Sequence, residues 1–150
     1  MKPNPSLVMV GGLLGTPVMT VLIYLLAPWL GVQTDIVGTL AEVLGGWKMG
    51  MLVHIFNGVV VFPLAYAFVA YRLFPGPPVA KGAAFGAGLW LVSQLIVLPL
   101  MGAGFFSANI GGVRASAVLL LGHIAYGGLL GALAALAHED LLPVKPKPAA

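Results

Sequence analysis

The chain contains no cysteine, which excludes disulfides, thiolate-held metals, iron–sulfur clusters and cysteine nucleophiles. Charge is nearly as scarce: 7% of the 150 residues are Asp, Glu, Lys or Arg and 60% are hydrophobic, against roughly 25% charged in soluble domains. So few polar groups do not cover the surface of a fold this size, so a water-soluble monomer is excluded and the surrounding medium is lipid. The seven cations are scattered along the chain, which removes support for a nucleic-acid partner. No Asp or Glu falls inside any long apolar run, which argues against a proton pump or a sodium-coupled carrier. Without a carboxylate pair, an activated nucleophile or a three-ligand metal set, enzymatic activity is not expected.

What is present is organised by length. Four apolar runs, at about residues 7–30, 47–74, 79–101 and 114–137, each reach the roughly 20 residues that a helix needs to cross a bilayer. They must be helical, because a lone strand in lipid leaves its backbone unpaired, and their continuous apolarity lacks the alternation of a barrel. The sequence therefore predicts an all-α integral membrane four-helix bundle over residues 1–137, followed by a polar, proline-rich tail at 138–150 that is expected to be disordered or partner-bound. The first run is too long for a signal-peptide core and reads as a retained helix, kinked at Pro17 and Pro28, with the Thr16 or Thr20 hydroxyl satisfying freed carbonyls.

Lys2, Arg72, Lys81, Lys145 and Lys147 fall on one side of this topology and only Lys48 and Arg114 on the other, which predicts both termini in the cytoplasm. Pro75-Gly76-Pro77-Pro78 makes a short stiff hairpin, so the second and third spans are expected to be adjacent and antiparallel. Asp35 to Leu44 has the apolar spacing of a short helix lying at the interface.

Glycine is abundant, at 21 residues, and its positions repeat. Gly11, Gly15, Pro28 and Gly31 recur 71 positions later as Gly82, Gly86, Pro99 and Gly102, and His54-Ile-Phe-Asn-Gly58 recurs 69 positions later as His123-Ile-Ala-Tyr-Gly127. This pattern predicts two tandem two-helix repeats, at about residues 7–74 and 79–137, related by a pseudo-twofold axis along the membrane normal. The Gly-x-x-x-Gly pairs, Gly11 with Gly15, Gly82 with Gly86 and Gly127 with Gly131, read first as faces for close helix packing.

With carboxylates absent from the spans, His54 and His123 are the main functional candidates, and they fall at matching repeat positions. One reading is structural, each imidazole bonding a carbonyl or hydroxyl. A sharper one is a single b-type haem held axially by His54 and His123, with Gly58 and Gly127 leaving room for the macrocycle and Lys48 and Arg114 pairing with its propionates. A third uses soft donors for Cu(I): Met49, Met51 and His54 near one end of the second span, with Met101 at the same face. Asn57, Ser93 and Gln94 read as hydrogen-bonding residues between helices. Trp29, Trp47 and Tyr71 read as interfacial anchors, and Trp90 as a residue packed in the bundle or against a partner. Phe105 and Phe106 lie in the outer loop after the third span and stay open between core, belt and contact surface.

Lys81-Gly82-x-x-Phe85-Gly86 with Trp90, then Leu98-Pro99-Leu100-Met101-Gly102-Ala103-Gly104-Phe105-Phe106, then Gly122-His123-x-x-Tyr126-Gly127 with Gly131, resembles an uncharacterised group of small four-span prokaryotic membrane proteins, classed as a domain of unknown function. The resemblance covers mostly the third and fourth spans, and it implies a multi-pass protein of a prokaryotic inner membrane without specifying any chemistry. Two classes of function fit, and the first is the preferred reading. One is a non-enzymatic accessory or structural subunit of a larger membrane complex, of respiratory or electron-transfer type, with lipid and other membrane subunits as partners. The other is a stand-alone carrier or channel for a small neutral solute or a metal ion such as Cu(I).

Overall fold

A computed structural model of the chain describes residues 3–32 and 35–139. Five helices follow one another: α1 (Pro5–Trp29), α2 (Ile36–Leu44), α3 (Trp47–Leu73), α4 (Pro78–Leu100) and α5 (Gly112–Glu139). All but α2 contain a stretch long and apolar enough to cross a membrane, the shortest being the 23 residues of α4. Among the described residues there is no strand. The architecture is that of a multi-pass helical membrane protein, with α1, α3, α4 and α5 running antiparallel in sequence order. The N-terminus and the α3–α4 turn define one end of the bundle, here the hairpin end, and the longer connections after α1 and α4 define the loop end.

Local chemistry sets the boundaries. Asn4 caps α1 by accepting the Ser6 backbone N–H at 3.0 Å, and Pro5 takes the first helical position, where its missing donor costs nothing. Asp35 caps α2 through the Gly38 N–H at 2.8 Å, and α2 stops where Gly45 turns left-handed at φ 82°. The short helix expected over Asp35 to Leu44 is therefore present, and it packs on α3 where Gly50 lets the backbone come close to Val37 and Ala41. Helix α5 continues to Glu139, into the segment read as tail, and residues 140–150 lie outside the described residues, as does Lys2.

Small residues decide which helices meet. A Cβ on Gly82 would strike the Gly127 carbonyl, one on Gly86 the His123 carbonyl, and one on Gly127 the Gly82 carbonyl, so α4 and α5 touch backbone to backbone. On the other side of α5, Gly11 and Gly15 of α1 rest on Leu130 and Tyr126. Helix α1 also meets α3, where Gly12 faces Pro63 and Gly58 faces Thr16. The glycine pairs read from the sequence as packing faces thus have that role. Helix α5 sits at the centre and buries Tyr126, Leu130 and Ala134 with Val8 and Tyr66 toward the hairpin end, and Val118 and Leu119 with Ile23 and Leu98 toward the loop end.

Helices α3 and α4 behave differently. Their substantial contacts are confined to the hairpin end, where the Tyr66 hydroxyl donates to the Pro78 carbonyl at 2.9 Å. Nearby, the Lys81 ammonium donates to the Tyr71 carbonyl at 2.9 Å and lies 4.5 Å from the Tyr71 ring centre, a cation–π geometry. Phe85 stacks on Tyr66 with ring centres 5.6 Å apart. Beyond this clasp the two helices separate.

Each of the separated stretches also departs from α-helical winding. Residues Asn57–Val61 of α3 and Ser93–Val97 of α4 form π-turns. Pro63 has no N–H for the Val59 carbonyl, and Pro99 has none for Leu95. Those two carbonyls lie at the middle of the two π-turns, so the wider winding absorbs the lost bond and the ring clash. A third π-turn, Tyr66–Ala70, has no proline behind it. Pro17 and Pro28, the prolines singled out from the sequence, lie within one continuous helix. The Thr16 and Thr20 hydroxyls do bond carbonyls, but those of Gly12 and Thr16, both at 2.8 Å, not the Leu13 carbonyl that Pro17 frees.

The connection after α4 is tightly built. Gly102 and Gly104 have φ of 79° and 77°, and Phe106 and Ser107 follow at 50° and 59°, a region that bulky residues enter only when their surroundings hold them there. The restraints are visible: the Ser107 hydroxyl donates to Gln94 Oε1 at 2.9 Å, Asn109 Nδ2 donates to the Gly102 carbonyl at 2.8 Å, and Phe106 packs against Trp90 with centroids 6.0 Å apart. Trp90 itself donates its indole N–H to the Ser116 carbonyl at 2.9 Å, which places it in the bundle. Gln94 Nε2 is buried with no hydrogen-bond partner among the described residues.

Candidate functional site

The gap between α3 and α4 is a cavity of about 190 Å³. Its floor is Thr16 and Met19 of α1 with Leu119, His123 and Tyr126 of α5; its walls include His54, Asn57 and Phe62 of α3 and Ser93, Leu98 and Met101 of α4; Leu40 of α2 approaches from the loop end. The lining contains no Asp, Glu, Lys or Arg. This volume lies below the roughly 300–1,000 Å³ of pockets that hold drug-sized ligands.

Both histidines singled out from the sequence line this one cavity, and each has one ring nitrogen hydrogen-bonded. His123 Nδ1 lies 2.7 Å from the Leu119 carbonyl oxygen. A carbonyl only accepts, so Nδ1 carries the hydrogen and Nε2 keeps a lone pair. His54 Nε2 lies 3.1 Å from the Thr20 hydroxyl, whose own hydrogen has the Thr16 carbonyl as an acceptor at 2.8 Å. When that hydrogen points to Thr16, the hydroxyl accepts from His54 Nε2–H and Nδ1 keeps the lone pair, which is the tautomer that a ligand at Nδ1 requires. Each imidazole has one nitrogen hydrogen-bonded by the protein and one with no hydrogen-bond partner among the described residues. Metal-binding histidines characteristically hold their second nitrogen in this way, and so do histidines that accept a hydrogen bond from a ligand.

Of the other residues expected at the site, Gly58, Met101, Asn57 and Ser93 line the cavity, and Gly127, Lys48 and Arg114 do not. Gly58 and Gly127 do not leave room for a macrocycle: the space beside Gly58 is filled by Thr16, that beside Gly127 by the Gly82 backbone. The Gly58 carbonyl also accepts the Tyr126 hydroxyl at 2.6 Å. Lys48 and Arg114, expected to pair with propionates, are exposed at the starts of α3 and α5 and do not line the cavity. Of the methionines grouped for copper, Met101 lines the cavity with His54, while Met49 and Met51 do not. Asn57 and Ser93 line the cavity, and Gln94 makes its bond to the outer loop instead.

Met19, Thr20 and Tyr126 were not identified as site residues from the sequence. Thr20 is four residues after Thr16 on α1, and that spacing was a visible signal of a hydroxyl relay, but nothing local pairs it with His54, which is 34 positions away.

Outside the spans, Asp35 ties the loop end together. It accepts the Tyr24 hydroxyl at 2.5 Å and the Gly38 N–H at 2.8 Å, and these two bonds hold its carboxyl below the usual carboxylate range against a smaller desolvation effect. The bond to Tyr24 anchors the start of α2, and with it Leu40, to α1.

No curated protein and no solved structure matches the chain. A family model does match, over residues 4–141, which takes in all five helices and the whole cavity lining, and by that match the chain belongs to DUF6789, a family of unknown function.

Proposed function

We propose that this protein is a small, non-enzymatic intramembrane binding protein of carrier type, whose ligand is a small solute or a metal ion held between α3 and α4 by the lone pairs of His54 and His123. The observation that carries this reading is that both histidines line one uncharged cavity, each with one ring nitrogen hydrogen-bonded by the protein and the other without a hydrogen-bond partner among the described residues. A merely structural histidine needs a partner for one nitrogen only, but two such histidines sharing an uncharged cavity make a two-point acceptor site. Of the two functional classes left open by the sequence, the cavity favours the stand-alone binder over the accessory subunit. A haem is the weaker ligand for it, because Thr16 and Gly82 fill the positions where Gly58 and Gly127 were to make room.

In this reading the chain lies in a prokaryotic inner membrane with both termini cytoplasmic, which the distribution of Lys and Arg and the resemblance noted above support. The cavity then faces the outer leaflet. The 71-residue glycine spacing supports descent from a duplicated hairpin.

The test is native mass spectrometry, with metal analysis and an absorption spectrum, on full-length protein extracted gently from its own membranes. Wild type is expected to carry a non-protein mass or metal that the double variant His54→Leu/His123→Leu lacks. A ligand-free wild type whose thermal unfolding matches that of the double variant defeats the proposal, and a Soret band lost with the histidines restores the haem.

A further inference from the structure

Resting on that reading, we infer that the ligand is a soft monovalent metal ion, Cu(I), for which Ag(I) is the redox-inert probe. Three features of the cavity select it. The first is the donor set: His54 and His123 line the cavity together with Met19 and Met101, and imidazole with thioether is a combination that suits Cu(I). The second is charge. Nothing in the lining is anionic, so an ion entering it meets only neutral donors. The cost of stripping an ion of water rises with the square of its charge, so a monovalent ion pays roughly a quarter of what a divalent ion of the same size does. Zn(II) or Cu(II) usually takes three or more imidazoles or an anionic ligand, whereas the cavity offers two imidazoles and the chain has no cysteine and no Asp or Glu within its spans. Cu(I) also accepts low coordination numbers, so two imidazoles suffice as the main ligands.

The third feature is the outer layer of hydrogen bonds. His123 Nδ1–H is held by the Leu119 carbonyl at 2.7 Å. His54 Nε2–H is held by Thr20, itself held by the Thr16 carbonyl, at 3.1 and 2.8 Å. These bonds orient both rings and raise the basicity of the free nitrogen, as such partners do for metal-bound imidazoles. Thr20 is thus a positioning residue that acts through His54. Met101 follows directly on α4 and lines the cavity at its loop end.

The experiment is a competition for Cu(I), under anaerobic reducing conditions, between full-length protein in detergent and a chromogenic Cu(I) chelator, repeated with Ag(I) and Zn(II). Wild type is expected to hold one Cu(I) or Ag(I) per chain. His54→Leu and His123→Leu are each expected to lower affinity at least 100-fold, Thr20→Val 10- to 100-fold, and Met101→Leu about 10-fold. Met101→Leu and Thr20→Val nearly conserve volume, so they keep the test meaningful should a histidine variant fail to fold. The inference is overturned by a wild type that yields all its Cu(I) to the chelator, by variants that hold it equally well, or by Zn(II) retained as tightly as Ag(I). If copper is not held but an organic mass still disappears with the two histidines, the metal falls and the intramembrane binding site stands.

Discussion

The bundle has two kinds of seam built from the same kind of helix, one closed and one open. Where α5 meets α1 and α4, glycines bring backbones together along the spans, and Cβ atoms at Gly82, Gly86 or Gly127 would have nowhere to go. Where α3 meets α4, aromatic residues and Lys81 clasp the hairpin end and the rest is left apart. In lipid there is no hydrophobic force to pull two apolar faces together, so a seam closes only where small residues let backbones approach or polar groups bond across it. The open seam has such bonds at one end only. Its other end is lined by Asn57, Ser93 and the histidines, with Val92, Val97 and Leu98 beside them, residues too large for backbone contact and too few in polar groups to bridge it.

Enlarging a glycine of the closed seam should do the most damage. Gly82→Val is expected to destabilise by about 3 kcal/mol or more, because the obstructing atoms belong to the backbone of Gly127 and Gly131 and do not rotate away. Gly88→Ala on the same helix, where a Cβ meets nothing within 4 Å, should instead be neutral or stabilise by up to about 1 kcal/mol. Unfolding in mixed micelles compares the two, and similar losses in both would show that backbone contact with α5 does not hold α4 in place.

A smaller effect is expected from Tyr126→Phe, which removes the hydroxyl donated to Gly58 at 2.6 Å but leaves the ring. Orphaning that bond should cost about 1 kcal/mol, read in the same assay. Because the chain has no native cysteine, single cysteines report access without background. Ser93→Cys in the open seam is expected to react with a small lipid-soluble maleimide at least 10-fold faster than Ser116→Cys, whose position is 5% exposed. Equal rates would mean that the seam is closed in the bilayer.

The smallest effect concerns the lid of the open seam. Asp35 has its folded pKa lowered below 3.8, chiefly by the Tyr24 hydroxyl, so its contribution to holding α2 is present above that value and is lost as pH falls through the lower folded value. The Gly38 amide resonance should follow this titration with a midpoint below 3.8; a midpoint at or above it would remove the Tyr24 tie. Asp35→Ala, which takes away the cap at any pH, should weaken α2 by about 1 kcal/mol.

The spans, the short helix α2 and the two histidines were legible because each is carried by a local signal: a run of hydropathy, an amphipathic spacing, an ionisable side chain where few occur. The glycines were legible only in part. Gly11, Gly15, Gly82 and Gly86 follow the small-residue spacing and pack as it implies, but Gly58 and Gly127 sit one turn after a histidine and invite a role beside it. Whether a glycine makes room for a ligand or for a neighbouring helix depends on which helix lies opposite, a matter of tertiary placement. Thr20 is hidden for the same reason. Its partner on α3 is set by the crossing of two helices, not by anything adjacent in the chain. Pro63 and Pro99 were visible as residues, yet no sequence spacing separates a kink from a π-turn.

Those π-turns also act as phase shifters. A π-turn holds one residue more than the α-helical winding it replaces, and one residue is about 100° of rotation. The end of α3 that carries His54 is therefore set at a different angle from the end that carries Tyr66, although the chain between them is continuous, and Ser93 and Met101 lie at or beyond the same kind of shift on α4. Each helix thus presents one face to the clasp and another to the cavity, and the two faces are tuned separately. Proline sets the offset in both, since it forbids the ordinary bond at Val59 and Leu95. Removing one residue from Asn57–Val61 would leave a helix of nearly the same length and hydropathy, still able to cross a bilayer, with His54 turned by about 100° relative to the clasp.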